Sequence, residues 1–126
     1  MDERALSAVV ADRAVLAKEE AADLIRATLE EMGKQLSGGE LQELAINLPE
    51  DLAANLPPRH DGGAHPVPLP SFLRALARRT GLKQEEVTRG VRAVLTTLSQ
   101  TADGTHLRHA LSQLPAEYRE LATTAP

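Results

Sequence analysis

The sequence contains no cysteine and no tryptophan, and its only aromatic residues are Phe72 and Tyr118 in a chain of 126. Without cysteine there is no disulfide framework, no thiolate metal site and no cysteine nucleophile. Two aromatic rings cannot build the stacking platforms that hold single-stranded nucleic acids. No apolar run approaches the roughly 20 residues of a membrane-spanning helix. Val and Ile are sparse, seven and two, and no segment alternates with period two, so strands are not expected. The start, Met1-Asp2-Glu3-Arg4, lacks the pattern of a signal peptide, and the chain reads as cytoplasmic. Its Ala, Leu and Arg richness is compatible with a bacterial high-GC genome.

What is present is Ala and Leu, 20 of each. Apolar residues recur at helical spacing in four stripes: Ala22, Ile25, Leu29, Met32, Leu36; Leu41, Leu44, Ala45, Leu48; Val87, Val91, Val94, Leu95, Leu98; and Leu107, Ala110, Leu111, Leu114. Residues 57–70 interrupt this pattern with five of the eight prolines and the Gly62-Gly63 pair. Such proline density removes backbone donors and excludes a helix, so the segment reads as an extended, partly mobile linker.

The linker divides two related halves. Shifted by 66 residues, segment 5–56 lies on 71–122 without a gap and with 12 identities in 52 positions. Glu19-Glu20 falls on Glu85-Glu86, Arg26-Ala27 on Arg92-Ala93, Ala11 and Arg13 on Ala77 and Arg79. Leu16, Leu29, Gly38 and Leu41 fall on Leu82, Leu95, Gly104 and Leu107, and Leu48-Pro49 on Leu114-Pro115. Each unit predicts a short helix (about 3–13 and 71–80), a long helix (about 18–36 and 84–101), a third helix and a short fourth one opened by Pro49 or Pro115. Ser71 is the expected cap of the second unit's first helix and Gly81 its stop. Ser37 and Glu40 form a capping-box pattern; in the copy Asp103 takes the cap and His106 replaces the Glu. Units of about 52 residues are marginal alone. The expectation is therefore one all-α domain. Repeat 1 (1–56) and repeat 2 (71–126) would pack as pseudo-symmetric halves of a helical bundle around a pseudo-twofold axis.

The run FLRALARRTGL (72–82), then EEVTRGVRAVLTTL (85–98), a polar Gly turn and HLRHALSQLP (106–115) resembles one repeat of an uncharacterised bacterial family, the domain of unknown function 2267. The resemblance covers about 5–122, with Arg26, Arg92 and the Leu-Pro ends as its most specific parts. It implies two repeats joined by a linker and a bacterial origin, and no defined reaction. A weaker likeness covers the first two helices of each unit. It is to the N-terminal helical half of the histone-like bacterial DNA-bending proteins, whose β-arm has no counterpart here.

No grammar of catalysis is found. A Gly-x-Ser-x-Gly elbow, a phosphate-binding Gly loop with Lys-Ser/Thr and a Gly-x-Gly-x-x-Gly fingerprint are all absent. Ser37-Gly38-Gly39 is explained as a helix cap, and Glu19, Glu20, Glu30 and Glu31 as solvated helix charges. His106 and His109 stand three apart on one helix without a third ligand, and His60 and His65 flank Asp61 in the linker. Neither pair is expected to bind metal, and no cofactor is implied. The candidate partner or anion contacts are the repeated pair Arg26 and Arg92, and the basic cluster of Arg78, Arg79 and Lys83. Arg26 borders its apolar stripe, and the plain expectation is a stem that covers the core and a head paired with a carboxylate.

The reading that follows is a non-enzymatic interaction or scaffold module with an unidentified protein partner. The rival classes are a DNA-associated protein using the basic second repeat and a small-molecule binder between the repeats. The net charge of −4 is an average of unlike parts. Residues 1–58 hold 12 acidic and 5 basic side chains, a net of −7; residues 59–70 hold one of each; residues 71–126 hold 5 acidic and 8 basic, a net of +3.

Overall fold

The computed structural model describes residues 1–101 and 104–123, which form helices and connecting turns with no strand among them. In chain order the helices are α1 (Glu3–Ala14), α2 (Lys18–Gly33), α3 (Gly38–Asn47), α4 (Glu50–Ala53), α5 (Leu69–Thr80), α6 (Gln84–Ser99), α7 (Gly104–Leu111) and α8 (Ala116–Thr123). α5, α6, α7 and α8 each begin 66 residues after α1, α2, α3 and α4.

Local chemistry sets the ends. The Asp2 carboxylate caps α1 by accepting from the Ala5 amide at 2.8 Å. α2 and α6 lack a capping side chain at their first position. Instead Glu20 reaches back to the Ala17 amide and Glu86 to the Lys83 amide, each at 2.9 Å, and both carboxylates also favour the positive end of the helix dipole. α5 stops at Gly81, whose φ of 76° is left-handed and free of strain for glycine. α1 ends on the equivalent position with Val15 at φ 57°, where a β-branched side chain is strained.

The two halves are interlocked rather than merely adjacent. α1 packs chiefly on α6 and α5 on α2, so each half's first helix covers the other half's long helix; α2 also meets α6, and α3 meets α7. Where α2 crosses α6, Leu24 fills the space above Gly90, and a Cβ there would overlap the leucine's methyl group. Positions 24 and 90 are 66 apart, so this crossing brings equivalent positions together. The core is aliphatic, with Leu6, Val10, Leu24, Ile25, Leu29, Met32, Leu36, Leu76, Val87, Val91, Val94 and Leu95 fully buried. Each such side chain contributes roughly 1.5–3 kcal/mol of transfer free energy. No helix is long and apolar enough to cross a membrane among the described residues.

Several local expectations are corrected. α5 starts at Leu69 rather than Ser71, with Pro68 as its cap and Pro70 in its first turn. A proline there has no intrahelical acceptor to satisfy, so the missing amide costs nothing. Ser71 caps no helix; its hydroxyl accepts from Arg74. The long helices end at Gly33 and Ser99, short of 36 and 101, because the chain tightens into i→i+3 turns at Gln35, Leu36 and Gln100. Pro49 is the cap of α4, and Asp103 lies outside the described residues. Residues 57–68 form no helix or strand, and the segment is fastened to the domain. The Val67 amide and the Val67 carbonyl bond to Gln35 Oε1 at 2.7 Å and Tyr118 Oη at 2.6 Å; the His65 amide bonds to the Gln35 carbonyl at 2.8 Å. Gln35 Nε2 donates to Tyr118 Oη at 3.1 Å, and Phe72 tilts against the tyrosine ring at 5.3 Å. Burial pushes the Tyr118 hydroxyl up to about 12, so it stays a donor at any ordinary pH.

Candidate functional site

The basic cluster anticipated at Arg78, Arg79 and Lys83 is divided. Arg79, in the last turn of α5, reaches across to α2, with Nη1 at 3.0 Å from Glu31 Oε2 and Nη2 at 3.0 Å from Glu30 Oε2. Lys34 joins them at 2.8 Å from Glu31 and 3.8 Å from Glu30. Burial alone would raise the Glu31 carboxyl, but hydrogen bonds and charge from Lys34 and Arg79 outweigh it and hold the group below its ordinary value. Arg79 thus ties the halves together. Arg78 and Lys83 are exposed, and neither side chain has a polar partner among the described residues.

The repeated pair Arg26 and Arg92 does not form a symmetric site. Arg26 Nε sits 2.8 Å from Glu3 Oε1 and Nη1 3.5 Å from Asp23, with the side chain half exposed. This matches the plain expectation of a carboxylate-paired head. At the equivalent positions of Glu3 and Asp23 the second half has Leu69 and Arg89. Arg92 Nε is accordingly buried without a hydrogen-bond partner. The recesses that Arg26 lines, with Glu3 and Lys18 on one side and Arg79 and Thr80 on another, do not include Arg92.

Two further surface recesses have the lining of candidate sites. The larger, about 670 Å³, lies where α1 meets the end of α6, α7 and α8 and is lined by Arg13, Thr96, Ser99, Gln100, Arg108 and Thr123, with Ala122 as its apolar wall. Arg13 Nη1 donates to Thr97 Oγ1 at 3.1 Å. Arg108 donates to the Ser99 carbonyl and to Thr105 Oγ1, and the missing side chain of Gly104 leaves room for that reach. Neither arginine pairs with a carboxylate among the described residues, and the buried Ser99 hydroxyl has no partner. The second recess, about 290 Å³, lies between α3 and α4. Leu41, Ala45, Ile46, Ala53, Leu56 and Pro57 line it, Gln42 and Arg59 sit at its edge, and Ile46 is 68% exposed.

The family model described as an uncharacterized conserved protein, DUF2267, matches residues 4–121. The chain belongs to the DUF2267 family. No curated protein matches it. The family description carries no activity, so function in this DUF2267 chain has to be argued from its own surfaces.

Two histidines of the DUF2267 chain, His109 and His60, make contacts of a structural kind. His109, on α7, places Nδ1 2.9 Å from both carboxylate oxygens of the buried Glu40 on α3. That hydrogen bond and charge, with a further contribution from Glu43, raise the imidazole above its ordinary value. The capping box is therefore only half made. Ser37 Oγ accepts from the Glu40 amide at 3.2 Å, while Gln113 from the other half supplies the acceptor for the Ser37 amide at 3.0 Å. Glu40 is diverted to His109. His60 Nδ1 accepts from the Gly62 amide and Nε2 lies 3.1 Å from the Leu36 carbonyl. No three His, Asp or Glu side chains converge as a metal site among the described residues.

Sequence reasoning did not single out Arg13 or Arg108 as site residues. A signal was available in the repeat alignment. Arg13 and Arg79 are identical, yet the carboxylates that hold Arg79, Glu30 and Glu31, become Thr96 and Thr97 in the second half. A cation shared by both halves whose carboxylate partners occur in only one of them is free to take a different counter-ion in the other.

Proposed function

We propose that this protein is a non-enzymatic helical interaction module of the bacterial cytoplasm, docking a protein partner at the recess beside Ile46. The observation that carries the reading is Ile46 itself. It is one of two isoleucines in the chain, stands 68% exposed in the last turn of α3, and borders a recess with five apolar neighbours. Single exposed aliphatic residues are common, but one set beside an apolar recess has the form of an interface anchor. The surrounding half carries a net of −7 over residues 1–58. The partner that fits is a segment with an apolar anchor flanked by basic residues, since complementary charge speeds encounter and excludes wrong partners.

Affinity capture from native lysate with the wild-type chain and with Ile46→Asp tests this. The expected result is a basic partner retained near stoichiometry by wild type and reduced at least tenfold by the variant, with helicity and Tm unchanged. Identical captures, or bait alone in both, would overturn it. The basic second half supports a DNA-associated role less well, because Arg79 is engaged by Glu30 and Glu31 instead of standing with Arg78 and Lys83. Salt-sensitive retardation of duplex DNA, lost in Arg78→Gln/Lys83→Gln, would favour that role instead.

A further inference from the structure

We propose that the recess between Arg13 and Arg108 is a binding site for a phosphoryl dianion, either free phosphate or a small phosphate monoester. The argument comes from two corners of the molecule built on the same repeat positions. In one, Arg79 of α5 meets Glu30 and Glu31 of α2, with Lys34 beside them. In the other, Arg13 of α1 meets α6, bonding to Thr97. Adding 66 to 13, 30, 31 and 34 gives 79, 96, 97 and 100. The first corner thus has two cations and two carboxylates. The second has Arg13 with Thr96, Thr97 and Gln100, and gains Arg108 where the first half has Gln42. Among the described residues it holds two cations and no carboxylate.

Arg13 and Arg108 both line the recess, and neither pairs with a carboxylate among the described residues. Each guanidinium carries five N–H donors; Arg13 commits one to Thr97 and Arg108 two to Ser99 and Thr105. The Ser99 hydroxyl on the same wall is buried and unpartnered, which costs free energy unless something bonds to it. The negative end of α6 would oppose an anion, but the Ser99 carbonyl there is covered by Arg108. Paired guanidiniums with hydroxyl donors suit a tetrahedral oxyanion, because each planar fork can take two of its oxygens. About 670 Å³ exceeds the size of a bare phosphate, and Ala122 offers an apolar wall for an organic group.

Binding is read by NMR titration of the full chain at constant ionic strength, with inorganic phosphate in one arm and glycerol phosphate in the other, against chloride. We expect saturable shifts at the Ser99, Gln100 and Arg108 amides with at least one of the two, and the tighter arm identifies the source. Arg13→Gln and Arg108→Gln should each weaken binding tenfold or more, and Arg79→Gln at the mirror corner should leave it unchanged. Gln100→Glu, at an exposed position that leaves folding intact, returns a carboxylate to the recess and should also weaken binding at least tenfold. No saturable shift with either probe, or equal loss in Arg79→Gln and Arg13→Gln, would overturn the proposal.

Discussion

The two halves of this chain place their helices at matching intervals and then treat matching polar positions in opposite ways. Arg26 has Glu3 and Asp23, while Arg92 stands among Leu69 and Arg89 at those positions. Arg79 is neutralised by two carboxylates, while Arg13 meets two threonines. α3 presents Glu40 and Glu43 where α7 presents His106 and His109. The apolar stripes keep their apolar character, though sizes shift at some positions, as with Leu44 and Ala110. Ile25 with Val91 and Met32 with Leu98 are buried in both halves. The reason is physical: both halves share one interior, where a changed volume is felt at once, whereas a surface ion pair is worth little and can be lost cheaply. Individual character in this protein therefore collects on the surface, in the polar positions that the repeat did not preserve.

The sharpest way to break the comparison is at the α2–α6 crossing, where equivalent positions meet and differ most in size. Gly90→Leu places a second leucine against Leu24 and should destabilise by about 3 kcal/mol, the upper range for overpacking. The double exchange Leu24→Gly/Gly90→Leu moves the knob to the other helix and should recover most of that loss. Urea unfolding of the three chains measures it. A Gly90→Leu chain as stable as wild type would mean that the helices do not cross at these positions.

A smaller effect tests the first helices' ends. Val15 at φ 57° and Gly81 at φ 76° occupy the same turn. A left-handed conformation costs an L-residue roughly 1–2 kcal/mol, partly offset for glycine by its greater freedom when unfolded. Val15→Gly should stabilise by about 1 kcal/mol and Gly81→Val should destabilise by about the same amount. Val15 is 77% exposed, so lost packing does not confuse the result.

The fold was open to sequence reasoning because its determinants are local and periodic. The stripes from Ala22 to Leu36 and from Val87 to Leu98 face the core, and Gly81 stops α5 as a left-handed glycine does. Harder to read were contacts between residues far apart in the chain. Gln35 looks like any helix-end glutamine, yet it is buried and ties Val67 to Tyr118. Glu40 has the spacing of a capping residue, but a partner 69 positions away outcompetes the local amide. The basic run at Arg78 and Arg79 reads as one patch, although a helix sends adjacent side chains in directions 100° apart. One of them faces α2 and the other faces solvent.

The smallest expected effect lies at the α3–α7 contact, where acidic and basic versions of the same helix meet. His109 faces Glu40 directly and Glu43 nearby, and its folded pKa is raised by that hydrogen bond and charge. A raised imidazole contributes stability that is fully present below its unfolded value, near 6.5, and that disappears as pH rises through the higher folded value. Tm of the wild-type chain should therefore exceed that of His109→Gln at pH 6, and the gap should narrow as pH rises through the folded value. Because His109 is mostly exposed, the gap should be small and should shrink in high salt. Glu40→Gln removes the larger contribution and leaves that of Glu43, so adding His109→Gln to it should open a smaller pH-dependent gap than in the wild-type background. A gap of undiminished size in that background would place the main titrating partner of His109 somewhere other than Glu40.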